Sequence, residues 1–197
     1  MTLENPRQSD LPIDPIFLKR WSPRAFTGEE IGDEELLTLL EAARWAPSGY
    51  NAQPWRFVHV RRTSALWEAA LDILSDYNRS WARAASALIF VGSHASLVLP
   101  GSEEPTELVT HSFDAGAAWA FLALQAARLG LATHAVGGFD REGAKNVLKA
   151  PADLEFHAVI VLGRRGEAGG LPEKLAAREI PSGRLSLPEI AFADTFP

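Results

Sequence analysis

Apolar positions along the chain fall into alternating extended and helical patterns. Short apolar runs predict strands at residues 55–60, 87–91, 131–136 and 156–162. The run at 87–91 is continuously apolar, which is typical of a strand covered on both faces. Taken alone, this alternation of helices and strands favours a parallel α/β sheet.

Helices are predicted between these strands. Asp14 and Pro15 are typical of a helix start, and this short helix is expected to end near Arg20. Asp33 is expected to cap a second helix, which Pro47 ends. Three more helices are predicted at 64–78, at 115–129 before Gly130, and after an Asp140 cap. Apolar residues surround the 115–129 helix on nearly every side, which predicts that it is central and buried.

The length of 197 residues predicts one domain with a proper core. Residues 1–13 have the character of an N-terminal arm, and residues 14–197 are expected to form the single domain. Residues 163–197 carry no core-forming pattern, so this tail is either disordered or lies across something else, such as a partner subunit.

Charge and cysteine content exclude several classes of function. The formal net charge of −6 argues against nucleic-acid binding and against an anionic membrane surface. The absence of Cys excludes disulfides, thiolate metal sites and cysteine nucleophiles. Residues 1–15 lack the basic start and apolar run of a signal peptide, and the apolar segment 115–124 is shorter than the roughly 20 residues that span a bilayer. We therefore expect a cytoplasmic protein.

Three short stretches carry candidate chemistry. Arg20, Ser22 and Arg24 alternate near a helix end, where two guanidiniums and a hydroxyl can converge on a phosphate or another anion. The alternative is an ordinary salt-bridged surface. Residues 47–55, with the sequence PSGYNAQPW, place hydroxyl, amide and backbone N–H groups beside a Trp, which suits a heterocycle or polyol. Residues 136–140 contain a double glycine that lets backbone N–H groups approach a ligand. An ordinary turn remains the alternative for both.

Four motifs in this order resemble the nitroreductase family of FMN-dependent oxidoreductases. They are RWSPRAF at 20–26, EAARWAPSGYNAQPWRF at 41–57, AGAAWAFLALQAARLGLATHAVGGFD at 115–140 and RLSLPEI at 184–190. The resemblance covers residues 14–192. It implies an α+β sandwich with a mostly antiparallel central sheet flanked by helices, and this replaces the parallel expectation. It also implies a homodimer in which the tail at 163–197 packs on the partner subunit.

The resemblance implies a set of FMN-binding residues. Arg20, Ser22 and Arg184 match positions that bind the phosphate, and Trp21 lies between them with no role beyond packing. Arg24 matches a cation near the pyrimidine edge of the isoalloxazine, where it would stabilise negative charge on the reduced flavin. The other matching positions are the lip residues Pro47, Ser48, Gly49 and Asn51, which cover the partner's flavin, the ring or ribityl contact Asn78, and the backbone donors Gly137 and Gly138.

Two positions depart from the family pattern. Ser182 and Trp81 stand where some relatives have Lys, which predicts a less basic phosphate cage. The histidines have no partner readable from spacing and are interpreted as packing or surface residues: His59, His94, His111, His134 and His157. No Ser–His–Asp or metal-ligand constellation is apparent, and no side chain is assigned as a catalytic acid or base.

The implied function is ping-pong hydride transfer from NADH or NADPH through FMN N5 to nitroaromatics, quinones or similar electron-poor acceptors. A second hypothesis keeps the flavin but changes the reaction to enal or aldehyde reduction, dehalogenation or flavin fragmentation. A third is a non-enzymatic dimeric binding protein. The sequence decides neither the acceptor, nor the nicotinamide, nor oxygen reactivity, nor the role of residues 92–110 with His111 and Phe113.

Overall fold

A computed structural model describes residues 5–98 and 101–196. Its helices are α1 (Ile16–Lys19), α2 (Asp33–Arg44), α3 (Trp67–Asp72), α4 (Asp76–Ala82), α5 (His111–Arg128), α6 (Arg141–Leu148), α7 (Glu173–Ala176) and α8 (Leu187–Ile190). Its strands are β1 (Trp55–Arg61), β2 (Ala87–His94), β3 (Ser96–Val98), β4 (Pro105–Glu107), β5 (Ala132–Val136) and β6 (Leu154–Gly163).

The central sheet has four strands in the order β1-β2-β6-β5, and each neighbouring pair is antiparallel. Phe90 of β2 lies opposite Val58 on one side and Val159 on the other. The antiparallel sheet implied by the resemblance is therefore confirmed. The parallel arrangement that alternation alone favours is wrong. The strands β1 and β2 pair as antiparallel neighbours, as do β5 and β6, and β6 lies between β2 and β5, the two strands that run in the same direction.

Helices cover both faces of this sheet. Side chains alternate along β2, so that Leu88 and Phe90 join one hydrophobic cluster while Ile89 and Val91 join another. The first cluster is completed by α3, α4 and α6, and the second by α2 and α5. This two-sided burial explains the continuously apolar sequence of β2 and gives the predicted α+β sandwich.

The single helix predicted at 64–78 is wrong, because the chain forms two helices, α3 and α4. Between them, Leu74 forms an isolated bridge to Phe139, and the Ser75 N–H donates to the Gly138 carbonyl at 3.0 Å. The Ser75 hydroxyl then accepts from the Asn78 N–H at 3.4 Å and begins α4. This break in the helix brings Asn78 next to the double glycine.

Two predicted helix starts are also shifted. Gly32 precedes α2, and its N–H is bound at 2.9 Å by the Glu35 carboxylate, so Asp33 lies in the first turn instead of at the cap. Helix α5 begins at His111, which places Asp114 in its first turn. Gly130, with φ +71, follows this helix as predicted.

Helix α5 is central but buries only one side in the single chain. Ala115, Ala118 and Leu122 are buried against the sheet, whereas Phe113 is 78% exposed and Phe121 41% exposed. The all-round burial that the sequence predicts is therefore not reached within one chain. No helix in the described ranges is long and apolar enough to cross a membrane.

The long irregular stretch at 92–110 is partly ordered structure. Strand β2 continues to His94, and β3 pairs with β4 in a short antiparallel hairpin whose residues 99–100 lie outside the described ranges. After β6, Arg165 bridges to Phe26, and Leu175 is the buried residue of α7. From residue 182 to residue 196 the tail is exposed in the single chain.

Candidate functional site

One cavity of about 420 Å³ collects most of the arginines that the sequence analysis names. Four parts of the chain surround it: the N-terminal arm, the segment after α1, strand β5 and the tail around and after α7. Its lining consists of Arg7, Arg20, Trp21, Ser22, Arg24, His134, Ala177, Arg178, Ile180, Ser182 and Arg184. We call it the arginine cavity. It brings Arg184 next to Arg20, Ser22 and Arg24, although some 160 residues of sequence separate them.

The arginine cavity holds positive charge without a matching carboxylate. None of its five arginines forms an ion pair with an acidic side chain among residues 5–98 and 101–196. Burial, followed by the charge of Arg184, lowers the pKa of Arg20 below its usual value. Like charges gathered at a partly buried site cost free energy unless an anion neutralises them. The cavity therefore has the properties of an anion-binding site.

A buried carboxylate holds the Arg24 segment in place. Glu179, only 2% exposed, accepts the backbone N–H groups of Arg24 at 2.8 Å and of Ala25 at 2.9 Å. The Glu179 carboxylate therefore binds backbone N–H groups instead of the Arg24 guanidinium, which remains available to a ligand in the cavity. The Arg24 Nε atom is buried and has no hydrogen-bond partner in the described part of the chain. Nothing in the sequence distinguished Glu179 from the other acidic residues of the tail.

His134 is a second cavity residue that sequence reasoning missed. Its Nδ1 lies 2.9 Å from the Pro23 carbonyl oxygen, which can only accept, so Nδ1 carries the proton and Nε2 is an acceptor. Burial lowers the pKa of His134 to about 4, and the nearby charges of Arg24 and Arg20 act in the same direction. The imidazole is therefore neutral at physiological pH and offers a lone pair among arginines. Its position in a strand pattern gave no signal of this role.

Trp81 supports this wall from behind. Its ring lies 4.8 Å from the His134 ring and 6.3 Å from Phe26, and the side chain is 2% exposed. Trp81 is thus a core residue, and a Lys charge is absent at that position. Arg7 and Arg178 also line the cavity, and the less basic cage relative to the family stays a prediction.

Asn78 lies next to the double glycine, Gly137 and Gly138, at the end of β5. The family resemblance assigned all three residues to one site. The Asn78 side-chain amide donates to the Gly138 carbonyl at 3.1 Å. A Cβ atom at Gly138 would lie 3.0 Å from Asn78 Nδ2 and 3.2 Å from Ser75 Oγ, which explains why a glycine fits there. Gly137 faces open space. The pair follows His134 by a few residues, about 10 Å along an extended chain.

The lip is part of the loop between α2 and β1, and it lies beside the first turn of α5. None of its residues lines the arginine cavity: Pro47, Ser48, Gly49 and Asn51. The Gly49 N–H donates to Asp114 Oδ2 at 3.2 Å, and the Ser48 hydroxyl accepts from the Gln53 N–H at 3.0 Å. Asn51 adopts a left-handed φ of 52. Tyr50 is 88% exposed at the tip. Within one chain the structure does not bring the lip and the arginine cavity together.

A separate polar cluster lies beneath the start of α5. The Ser93 hydroxyl lies 2.8 Å from His111 Nδ1 and 2.6 Å from His157 Nε2, and His111 Nε2 is 4.0 Å from the Glu155 carboxylate. Sequence spacing did not reveal this contact. Because Ser93 is fully buried, the cluster anchors α5 to the sheet and leaves no room for a substrate at the hydroxyl. Burial and the charge of His111 lower the pKa of His157.

The fold and the cavity together define an α+β protein with a candidate anion-binding site, and comparison with known proteins gives the family. The sequence model of the Nitroreductase family matches residues 18–164. A crystal structure of an oxidoreductase containing FMN is 44% identical, covers 100% of this chain and 99% of that one, and superposes with a TM-score of 0.95.

Two further relatives agree. A protein from Desulfovibrio desulfuricans, assigned as a nitroreductase and solved in complex with FMN, is 28% identical with a TM-score of 0.70, covering 94% of this chain and 100% of that one. The NADH dehydrogenase of Thermus thermophilus is 28% identical over 176 residues, which are 77% of this chain and 86% of that protein. The chain belongs to the nitroreductase family.

Proposed function

We propose that the protein is an FMN-dependent oxidoreductase that passes hydride in a ping-pong reaction from NADH or NADPH to nitroaromatics, quinones or similar electron-poor acceptors. The observation that carries this proposal is the arginine cavity, where five guanidiniums that form no ion pair with a carboxylate of the described residues surround one space. The relatives solved with FMN indicate which anion belongs there, and the NADH dehydrogenase relative supports a nicotinamide reductant.

The residues present fit the phosphate end of FMN. Arg20 and Arg184 would bind the phosphate through charge-assisted hydrogen bonds, and the Ser22 hydroxyl would add a neutral donor. Trp21 forms part of the same wall. A phosphate near two guanidiniums would relieve the repulsion that lowers the pKa of Arg20.

Bound FMN supplies the hydride-carrying centre, and the chain's own groups orient and polarise it. Arg24 would place positive charge beside the ring's pyrimidine edge, stabilising negative charge that develops there. The neutral His134 offers an acceptor at Nε2 on the same side. Asn78 would contact the ring or ribityl chain, and the exposed backbone amides of Gly137 and Gly138 would face N5 and O4.

The proposed active form is a homodimer in which the lip of one subunit covers the flavin of the other. The exposed side of α5, with Phe113 and Phe121, provides an apolar surface for such a contact. In the tail at 163–197, Leu187, Ile190 and Phe192 are also exposed. A partner subunit would cover them. We also propose that residues 1–13 are an arm and that residues 14–197 form the single domain. The cytoplasmic location stays a prediction.

An absorbance experiment tests the proposal. FMN is added to the purified protein, excess flavin is removed, and the visible spectrum is recorded before and after anaerobic addition of NADH or NADPH. We expect a retained flavin spectrum that bleaches with a nicotinamide and returns when a nitroaromatic or quinone is added. A protein that retains no flavin would contradict the proposal, and so would a bound flavin that neither nicotinamide reduces.

A further inference from the structure

Arg7, in the N-terminal arm, reaches across the two segments that carry the phosphate-site arginines. Its Nη1 donates to the Arg20 carbonyl at 2.7 Å and more weakly to the Leu18 carbonyl at 3.4 Å. Its Nε donates to the Ser182 carbonyl at 2.8 Å, two residues before Arg184. Asn5 also binds the Leu18 carbonyl, at 2.9 Å. The arm is thus fixed to both sides of the arginine cavity.

The charge of Arg7 is not needed for these backbone contacts. A neutral donor could bridge carbonyl oxygens, whereas a guanidinium here adds a third positive charge beside Arg20 and Arg184. Burial and then the charges of Arg184 and Arg20 lower the pKa of Arg7, as expected for a cation held against others. No acidic side chain in the described ranges forms an ion pair with Arg7. A bound anion would offset this repulsion.

We propose that Arg7 is a third guanidinium of the phosphate site, and that a bound phosphate fixes the N-terminal arm across the segments of Arg20 and Arg184. Nε and Nη1 hold the backbone, while Nη2, on the same planar group that lines the cavity, is directed to the phosphate. The inference rests on the proposed FMN function and extends its binding site to the arm.

Flavin affinity separates a role at the phosphate from a role in folding. Dissociation constants for FMN and for riboflavin, which has the same ring without the phosphate, are measured for the wild type, Arg7→Ala and Arg7→Lys. We expect Arg7→Ala to weaken FMN binding by about ten-fold or more, as for a lost charge-assisted bond, and to leave riboflavin binding unchanged. The FMN affinity of Arg7→Lys should fall between those of the wild type and Arg7→Ala, because lysine keeps the positive charge but lacks the several donors of the planar guanidinium.

Arg62→Ala is the matched control, since Arg62 also donates from a guanidinium to a backbone carbonyl, that of Gly28, outside the cavity. It should change neither affinity. The inference would be overturned if Arg7→Ala lost affinity equally for FMN and riboflavin, or lost no affinity for either. If Arg20→Ala loses FMN while Arg7→Ala does not, only the inference fails. If the wild type binds FMN no better than riboflavin, the phosphate site itself fails, and the inference with it.

Trypsin gives a second readout that does not depend on activity. Arg7 is followed by Gln8 in an exposed stretch, so cleavage after Arg7 reports the freedom of the arm. The rate at which the new Gln8 N-terminus appears is followed by mass spectrometry. We expect FMN to slow this cleavage and riboflavin not to. Equal rates with and without FMN would contradict ordering of the arm by the phosphate.

Discussion

The arginine cavity and the lip differ in how far their polar groups are satisfied within one chain. In the cavity, five guanidiniums share a space without a carboxylate partner among the described residues, and Arg24 Nε is orphaned. In the lip, the Gly49 N–H donates to the Asp114 carboxylate of α5, and the Gln53 N–H donates to the Ser48 hydroxyl. These backbone donors therefore already have acceptors within one chain. The cavity therefore has the charge to bind an anion. The lip already has partners for these backbone donors within one chain, and its tip points to solvent.

This contrast predicts separate consequences for mutations. Changes at the lip should cost folding stability, because they break contacts that already exist. Changes at the cavity arginines should cost ligand affinity and leave the ligand-free protein as stable as before, or more so.

Removing Glu179 should cause the largest loss, because this carboxylate is the one buried anion that holds the cavity wall. Glu179→Ala leaves the N–H groups of Arg24 and Ala25 buried without an acceptor. At about 1–3 kcal/mol for each, we expect the free energy of unfolding to fall by roughly 2–6 kcal/mol. Chemical denaturation measures it, with the exposed Glu167→Ala as control. Equal stability of the two variants would show that Glu179 does not hold the wall.

His134 should make the ligand-free protein lose stability in acid. Its folded pKa is about 4, against 6.5 in the unfolded chain. Above pH 6.5 both states are neutral and the contribution is constant. As the pH falls from 6.5 towards 4, the unfolded state binds a proton that the folded state does not, and stability drops by up to roughly 3 kcal/mol.

His134→Asn, which keeps a donor for the Pro23 carbonyl but does not titrate, should flatten this slope in denaturation curves between pH 7 and pH 4. Bound FMN should also reduce the slope, because a phosphate close to the imidazole raises its pKa. An unchanged slope in the variant would assign the acid sensitivity to other groups, such as His157, whose pKa is also lowered.

Arg20→Ala should weaken FMN binding by about 1–3 kcal/mol, the value of a lost charge-assisted hydrogen bond. The unfolding free energy of the ligand-free variant should stay the same or rise, because one charge that repels Arg184 is gone. Flavin titration and denaturation are measured on the same preparation. A destabilised variant with unchanged FMN affinity would reverse the role assigned to the cavity.

Gly49→Ala should have the opposite signature. A Cβ at this position would lie 2.8 Å from Thr110 Oγ1, so the lip or the start of α5 must shift. Overpacking of this kind costs about 1–3 kcal/mol of stability. Gly169→Ala, where a Cβ meets open space, is the control. The ratio of FMN to riboflavin affinity should stay unchanged in Gly49→Ala, and a changed ratio would place the lip at the phosphate.

The sequence predicted most of the fold, because strand positions follow from local apolar runs that the structure reproduces. Strand direction did not follow from these runs and came from the family resemblance. The helix predicted at 64–78 failed because tertiary hydrogen bonds from Ser75 to Gly138 outweigh local periodicity.

The site was predicted less completely. The Arg20–Arg24 motif was found from its residue pattern and Arg184 through the family resemblance, and the structure brings them to one cavity. Arg7, His134 and Glu179 were missed because each acts through a contact with residues more than 100 positions away, or through a neighbour in space that no spacing rule reveals. The Ser93 cluster was missed for the same reason, since its members come from β2, α5 and β6.

In the proposed homodimer, a cavity from one subunit and a lip from the other form one flavin site. Arg20→Ala, which damages the cavity, is co-expressed with a differently tagged Ser48→Ala/Asn51→Ala chain, which damages the lip, and the heterodimer is purified through both tags. Its bound FMN is compared with that of each mutant homodimer at an FMN concentration too low to fill either. Shared sites predict that the heterodimer recovers FMN at one of its two sites, because one cavity and one lip remain intact and face each other. A heterodimer that binds no more FMN than the mutant homodimers would contradict the account.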